Sequence, residues 1–169
     1  MNYEDYYTWQ RDIPGFGNES QEKLRSSTAL VSRVGGLGGP LALSLAAAGV
    51  GRIILAHGGE LRPDDLNRQI LMTHEGIEGA RHVQAAETLK RFNRDLEIES
   101  IGQNVSEKNI SGLVEQADIV FSCAPLFEER LLMNREAINQ HKFLSTAQCA
   151  RWRGMYSQLT RVNRLVLDV

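Results

Sequence analysis

Six residues that separate a predicted strand from a predicted helix, Val34-Gly35-Gly36-Leu37-Gly38-Gly39, have the composition of a phosphate-binding turn. Glycine has no Cβ atom, so a backbone of this kind can approach a phosphate group closely. The free N–H groups and the positive end of the helix dipole would then face the anion. The pattern predicts a nucleotide site, and the alternative is a glycine turn that serves packing alone.

Two other positions of the dinucleotide-binding fingerprint differ in this chain. The G-x-G-x-x-G pattern starts with a glycine where this chain has Arg33. An acidic residue about 20 positions beyond the glycines, near the end of the next strand, binds ribose hydroxyls in such sites. Glu60 lies at about that spacing, whereas His57 occupies the end of the strand itself. Both are candidates for the ribose, and the alternative for His57 is a histidine in a surface loop.

Short runs rich in leucine and β-branched residues predict five strands, at residues 28–34, 52–56, 96–101, 119–123 and 143–146. Apolar residues at helical spacing predict helices over residues 38–48, 77–92, 107–116 and 127–140. Strands that alternate with helices favour right-handed crossovers and a mostly parallel sheet. The predicted fold class is therefore α/β, with a parallel sheet between two layers of helices.

Shorter segments lie on either side of this alternating pattern. Residues 3–10 and 21–26 are predicted to form short helices, joined by the turn-rich residues 14–17. We therefore expect an N-terminal helical segment at residues 1–27 and a nucleotide-binding domain at residues 28–169. Residues 152–159 are expected to begin a further strand or hairpin.

Composition and charge argue against several classes of partner. The 169 residues include 21 acidic and 19 basic side chains, so the formal charge is -2 and no basic surface for nucleic acid or anionic lipid is expected. No apolar run is long enough to span a bilayer, and no secretory signal is recognisable, so we expect a cytoplasmic protein. Cys123 and Cys149 have no C-x-x-C companion. We expect no zinc site and interpret both cysteines as structural thiols.

Further segments extend the pattern beyond a generic nucleotide turn: Pro14-Gly15-Phe16-Gly17, Ala48-Gly49-Val50-Gly51-Arg52-Ile53, Asp65-Leu66-Asn67-Arg68-Gln69-Ile70-Leu71 and Ala117-Asp118-Ile119-Val120, with Asn93 and Arg130. Together with the glycine turn they resemble the ThiF/MoeB/HesA family, bacterial relatives of ubiquitin-activating enzymes, over nearly the whole chain. The stretch Gly58-Gly59-Glu60-Leu61-Arg62, followed by Asp64-Asp65, is similar to the HesA branch, which is associated with nitrogen-fixation gene clusters. The resemblance implies a Rossmann-like, ThiF-type nucleotide-binding domain.

The resemblance implies adenylation by ATP, with Mg²⁺, of the C-terminal carboxylate of a small β-grasp sulfur-carrier protein. Arg68 would clamp a phosphate and Arg81 would replace a lysine on the phosphates, so these two are the catalytic candidates. The alternative for Arg68 is a salt bridge on a helix surface. Family members dimerise through this part of the chain, so a homodimer or a heterodimer with a complete relative is expected. The candidate cofactor-binding residues are Gly35, Gly36, Leu37, Gly38, His57, Glu60, Asp65, Asn67 and Gln69.

Several positions depart from the pattern of the family. The ribose-binding aspartate falls at His57, the loop asparagine at Asp65, and the magnesium-binding aspartate at Pro125, which has no side-chain oxygen. The basic residues that the family sends from its N-terminal helix into a partner's site fall at Tyr6 and Trp9. Because the loss of one such electrostatic contact costs about a hundredfold or more in rate, these departures bear directly on catalysis.

Four functional hypotheses remain from the sequence. Family members continue for about another half with a cysteine loop and two C-x-x-C pairs, which this sequence lacks, and Cys149 lies too early to be the transfer cysteine. In the first hypothesis the chain is an adenylating enzyme that uses Arg68 and Arg81. In the second it is a catalytically inactive nucleotide-binding or structural partner, and in the third it is a truncated remnant of such an enzyme. The residue inventory favours the inactive partner. A remote alternative is an NAD(P)-binding oxidoreductase, with Arg62 available for a 2′-phosphate.

Overall fold

A five-stranded parallel sheet forms the centre of the computed structural model, which describes residues 3–146. The strands are β1 (Thr28–Ser32), β2 (Arg52–Ala56), β3 (Glu97–Ile101), β4 (Ile119–Ser122) and β5 (Phe143–Thr146). Their order across the sheet is β3-β2-β1-β4-β5, and every pair of neighbours is parallel. The predicted strands and the predicted α/β class are confirmed.

Seven α-helices accompany the sheet. They are α1 (Tyr3–Tyr6), α2 (Thr8–Arg11), α3 (Gly17–Ser26), α4 (Gly38–Ala48), α5 (Arg81–Phe92), α6 (Ile110–Glu115) and α7 (Phe127–Asn139), counted over the described residues. Two single turns of 3₁₀-helix, Pro63–Asp65 and His74–Gly76, lie in the connection between β2 and α5. This connection carries most of the residues that the sequence singled out for chemistry.

Two apolar clusters, one on each face of the sheet, produce the predicted three layers. On one face, Val31 and Leu55 pack with buried residues of α4 and α5, including Ala46 and Leu89. On the other face, Leu30 packs with buried residues of α6 and α7, including Val114 and Met133. Because side chains alternate across a strand, neighbouring residues of β1 serve opposite layers.

The carboxyl ends of the strands meet at one edge of the sheet. The last residue of β1, Ser32, pairs in register with Ala56 of β2 on one side and with Ser122 of β4 on the other. The chain reverses its direction of winding between β1 and β4, and ligands of open α/β sheets bind outside the strand ends at such a point. The loops after β1, β2 and β4 therefore border the place where a ligand of this fold would bind.

Three predicted helix starts are wrong. Helix α3 begins at Gly17 rather than at residue 21. Local hydrogen bonds explain the other two. Helix α5 begins at Arg81 rather than at residue 77 because Ala80 forms an antiparallel bridge with Glu60, and Gly79 accepts a hydrogen bond from the Leu61 N–H. Helix α6 begins at Ile110 rather than at residue 107. There, the Asn109 side chain accepts a hydrogen bond from the Ser106 N–H and holds the preceding residues in a turn.

The N-terminal helices attach to the end of α4. Gln10 and Gln21 both donate side-chain hydrogen bonds to the carbonyl oxygen of Ala48, at 2.9 and 3.1 Å, and Tyr7 is buried. These amides satisfy a carbonyl that the helix end leaves without an intrahelical partner. Residues 3–26 thus contain the predicted helices, whereas the proposed boundary between residues 27 and 28 stays a prediction.

Some expectations concern residues 147–169 and lie outside the described residues, namely the strand or hairpin at 152–159 and the role of Cys149. Cys123 is buried and free, and burial raises the pKa of its thiol to about 11, as a structural thiol requires. No helix within residues 3–146 combines the length and the apolar composition that crossing a bilayer demands.

Candidate nucleotide-binding site

The glycine turn after β1 presents backbone N–H groups at the start of α4. The Gly35 N–H donates to the Arg33 carbonyl and the Gly39 N–H donates to the Gly35 carbonyl, both at 2.8 Å. Within the described residues, the N–H groups of Gly36, Leu37 and Gly38 donate no hydrogen bond. Three free donors therefore stand together at the positive end of an 11-residue helix, as an anion site needs.

Close approach requires a glycine at one position of the turn and favours one at a second. A Cβ atom on Gly38 would overlap the carbonyl oxygen of Arg33, so only glycine lets α4 begin this close to the end of β1. A Cβ atom on Gly36 would lie 3.1 Å from Cγ of Arg68. The aliphatic part of Arg68 thus lies against the turn, which brings the predicted phosphate-binding arginine to the predicted phosphate-binding glycines.

Arg33 occupies the fingerprint position of a glycine and adopts the backbone conformation of one, with φ at +64°. Its side chain reaches Glu129 of α7, on the opposite face of the sheet from α4, with an Nη2 to Oε2 distance of 2.8 Å. Glu129 is buried and the Arg33 side chain is 18% exposed. The charged side chain is therefore held away from the glycine turn by an ion pair.

Asp65 is a buried carboxylate that receives four hydrogen bonds. Oδ1 accepts from Arg68 Nη2 at 3.0 Å and from Gln69 Nε2 at 2.7 Å. Oδ2 accepts from Arg81 Nη2 at 2.5 Å and from the Arg62 N–H at 3.1 Å. We call these three side chains, Asp65, Arg68 and Arg81, the Asp65 clamp. Arg68 is 55% exposed and forms a salt bridge with Asp65, three residues earlier, so the salt bridge that was the alternative to a phosphate contact is present. Its role on a phosphate stays a prediction.

The charge on Asp65 is stable at neutral pH. Burial by itself would raise the pKa of this carboxyl, but the hydrogen bonds from Arg81 and the Arg62 N–H, with the charges of Arg81 and Arg68, lower it below its ordinary value. The carboxylate thus remains ionised and keeps both guanidinium groups in place.

His57 is buried at the end of β2 and not exposed in a loop, so the surface alternative is wrong. It is 6% exposed, its N–H donates to the Ile101 carbonyl, and its ring lies beside Gly35. Burial, together with the positive charges of Arg81 and Arg33, lowers the pKa of His57 to about 4. The imidazole is neutral at pH 7, which a sequence pattern could not reveal because its neighbours come from distant segments.

Two side chains that border Gly35 each have a buried polar atom with no hydrogen-bond partner among the described residues. These atoms are Nδ1 of His57 and Oε1 of Gln69. A Cβ atom on Gly35 would lie 3.9 Å from the His57 ring and 3.6 Å from the Gln69 amide, so both groups border the same space. Because a buried polar group without a partner is costly, these atoms indicate a place for a polar ligand group or ordered water.

The remaining candidates are peripheral to the Asp65 clamp. Asn67 is exposed, and its Oδ1 accepts a hydrogen bond from Arg68 Nη1 at 3.1 Å. Glu60 is also exposed, and its part in the structure is the backbone bridge to Ala80. The structure therefore brings together Gly35, Gly36, His57, Asp65, Arg68, Gln69 and Arg81, whereas nothing places the Glu60 carboxylate beside them.

Sequence reasoning missed Glu129, the partner of Arg33. An acidic residue in the first turn of a helix is common, so the sequence offers no signal that it is buried. Pro125, at the position expected for a magnesium-binding aspartate, is exposed just after β4.

A family model for the ThiF family matches residues 7–165. The chain belongs to the ThiF family. Among curated proteins, this ThiF-family chain is 44% identical over 156 residues to protein HesA of Leptolyngbya boryana, a match that covers 92% of this chain and 55% of that protein. It is 31% identical over 162 residues to the sulfur carrier protein ThiS adenylyltransferase of Escherichia coli (strain K12), covering 95% of this chain and 64% of that one.

The chain spans about half the length of the HesA proteins that it matches. A solved structure of the tRNA N6-threonylcarbamoyladenosine dehydratase TcdA of Escherichia coli, in complex with ATP, has the same fold, with a TM-score of 0.80 at 17% identity. The superposed region covers 85% of this chain and 59% of that one. The family and the Rossmann-like fold expected from the sequence are confirmed.

The Arg33–Glu129 pair generates a first prediction. We expect Glu129→Ala to lower the free energy of unfolding in urea by about 3 kcal/mol, because it leaves Arg33 without its partner in a mostly buried place. Glu128→Ala removes the same charge from an exposed neighbour and should stay within about 0.5 kcal/mol of the parent chain. Equal effects of the two substitutions would show that the buried pair contributes nothing.

His57 generates a prediction for pH dependence. Because its pKa is about 4 in the folded chain and 6.5 ordinarily, the unfolded chain binds the extra proton first, and stability falls as pH drops from about 6.5 towards 4. The free energy of unfolding in urea, measured at pH 7 and at pH 5, should fall between these pH values in the parent chain. In His57→Gln this fall should be smaller by about 2 kcal/mol. His74→Gln, which removes an exposed histidine, should behave like the parent. If His57→Gln loses as much stability as the parent, the folded pKa of His57 is not lowered.

Proposed function

We propose that this chain binds ATP with the phosphates against the N–H groups of Gly36, Leu37 and Gly38 and beneath Arg68. The free N–H groups at the start of α4 carry this proposal, because they form a ready anion site of the kind that phosphates occupy. The contact of the Arg68 side chain with Gly36 supplies a cation at the same place. The complex of TcdA with ATP, a protein of the same fold, supports the choice of nucleotide.

The ribose would lie beside Gly35, next to His57 and Gln69. A neutral imidazole with a buried, unpartnered Nδ1 can form one hydrogen bond with a ribose hydroxyl. The amide oxygen of Gln69 can accept another. These two atoms take the place of the carboxylate that usually binds ribose in such folds.

The reaction proposed for the whole protein is adenylation of the C-terminal carboxylate of a small β-grasp sulfur-carrier protein. The name of the ThiS adenylyltransferase relative and membership of the ThiF family support this class. The carboxylate would attack the α-phosphate of ATP, with pyrophosphate leaving. In that step the turn N–H groups and the Asp65 clamp would stabilise the charge that gathers on the phosphate oxygens.

The proposal also includes three further properties expected of a HesA-type protein. These are a link to nitrogen fixation or to sulfur and cofactor metabolism, a homodimer or heterodimer with a complete relative, and a cytoplasmic location. The similarity to the HesA proteins supports the first of them.

Magnesium does not fit the side chains at the proposed site. Within residues 3–146, no three His, Cys, Asp or Glu side chains come together as ligands for a metal ion. The carboxylate of Asp65 already accepts four hydrogen bonds, and Pro125 offers no side-chain oxygen. We therefore assign no residue of this chain to Mg²⁺ and no step to a metal ion.

A second candidate function is nucleotide binding without adenylation, as in a catalytically inactive partner. The observation that favours it is that Asp65 neutralises part of the charge on Arg68 and Arg81, the two cations available for the phosphates. Exchange of labelled pyrophosphate into ATP in the presence of a β-grasp carrier distinguishes the two. Exchange identifies the adenylating enzyme, whereas ATP binding without exchange identifies the inactive partner.

Nucleotide binding is tested by Arg68→Gln in the full chain. We expect the dissociation constant for ATP, measured by isothermal titration calorimetry, to rise about tenfold because a charged hydrogen bond to phosphate is lost. Arg91→Gln removes the same charge from an exposed position at the far end of α5 and should leave the constant within about twofold. Unchanged ATP binding in Arg68→Gln, or loss of binding in both variants alike, would contradict the proposed site.

A further inference from the structure

The Asp65 clamp contains a negative charge in addition to the two cations proposed for phosphate. One carboxylate stands between two guanidinium groups and binds each through a separate oxygen, Arg68 at Oδ1 and Arg81 at Oδ2. Two positive charges and one negative charge leave one net positive charge in the clamp. A triphosphate and a monophosphate differ in the number of negative charges that this net charge must balance.

The carboxylate of Asp65 is held in place by other contacts, so we do not expect a bound phosphate to displace it from the arginines. Two further donors hold it, Gln69 Nε2 at 2.7 Å and the Arg62 N–H at 3.1 Å, and neither belongs to an arginine side chain. Asp65 is only 5% exposed. A bound nucleotide would therefore meet Arg68, Arg81 and the negative charge of Asp65 together.

The two arginines differ in how much of their donor capacity is already used. Nη1 of Arg68 already donates to the Asp64 carbonyl at 2.7 Å and to Asn67 Oδ1 at 3.1 Å. Nε of Arg81 is buried without a partner, and a Cβ atom on Gly59 would lie 2.9 Å from its Nη1. Nη1 of Arg68 is therefore engaged by the connection itself, whereas Arg81 keeps donors for a phosphate.

We infer that Asp65 is a specificity-determining residue that shifts this site away from triphosphates and towards adenosine 5′-monophosphate esters, the adenylates. The inference rests on the proposed function, because it concerns the preference of the same nucleotide site. Like charges repel across the clamp, so the carboxylate weakens binding of the four-charged ATP more than binding of the two-charged AMP.

The test compares Asp65→Asn with the parent chain by calorimetric titration with AMP and with ATP, in EDTA so that no divalent cation masks the phosphate charge. The readout is the ratio of the AMP to the ATP dissociation constant, because a merely misplaced arginine would weaken both ligands. We expect Asp65→Asn to raise this ratio about tenfold, and the rise should shrink at 0.5 M salt.

The matched control is Asp64→Asn, the same chemical change one residue earlier in the chain. Asp64 is exposed, and its carboxylate pairs with Arg62 outside the clamp. In Asp64→Asn the ratio of the AMP to the ATP dissociation constant should stay within about twofold of that in the parent chain. A ratio in Asp65→Asn that equals the parent ratio, or that falls, overturns the inference.

A second variant keeps the test decisive if Asp65→Asn does not fold. Asn67→Asp places an additional carboxylate on the exposed side of Arg68, where the amide oxygen now accepts a hydrogen bond. We expect the ratio to fall about threefold, since added negative charge penalises ATP more than AMP. An unchanged or increased ratio contradicts the inference, whereas failure of the parent and of Asp64→Asn to bind either nucleotide at millimolar concentration contradicts the proposed function itself.

Discussion

One buried carboxylate organises the connection between β2 and α5. That connection contains only two short 3₁₀ turns, yet it carries the residues proposed for the phosphates. Asp65 binds the Arg62 N–H before it in the connection and the side chains of Arg68 and Gln69 after it. It also binds Arg81, the first residue of α5. Burying a charge is costly unless it is paired and hydrogen-bonded, and here all four contacts satisfy that condition.

A second constraint comes from the close approach of α4 to the end of β1. Gly38 packs on the Arg33 carbonyl, and the turn beside that contact keeps N–H groups that donate no hydrogen bond within the described residues. Arg33 shows that the first fingerprint position needs a positive φ rather than a glycine as such. The conformational cost for an L-residue there is about 1 to 2 kcal/mol, and the ion pair with Glu129 fixes the direction of the Arg33 side chain.

The sequence predicted the architecture because hydrophobic periodicity reports which faces of strands and helices are buried. The order of strands and helices, and the glycine turn at the start of α4, follow from that pattern and from local backbone chemistry. The start of α5 did not follow, since the bridge from Glu60 to Ala80 joins residues 20 positions apart. Tertiary contacts of this kind override local helical preference.

The candidate site was predictable in its residue types and not in its pairings. The resemblance brought forward Arg68, Arg81 and Asp65 one by one, but only the structure places both arginines on the one carboxylate. The low pKa of His57 comes from its burial and from the charges of Arg81 and Arg33, which lie far from it in the chain.

The central claim, that phosphate rests on the turn N–H groups, is tested most directly by titrating ATP into the ¹⁵N-labelled full chain and following the backbone amide signals. We expect the largest shifts at the amides of Gly36, Leu37 and Gly38, and smaller shifts at the neighbouring Gly35 and Gly39. Saturable ATP binding that leaves these three amides unmoved while signals elsewhere shift would contradict it.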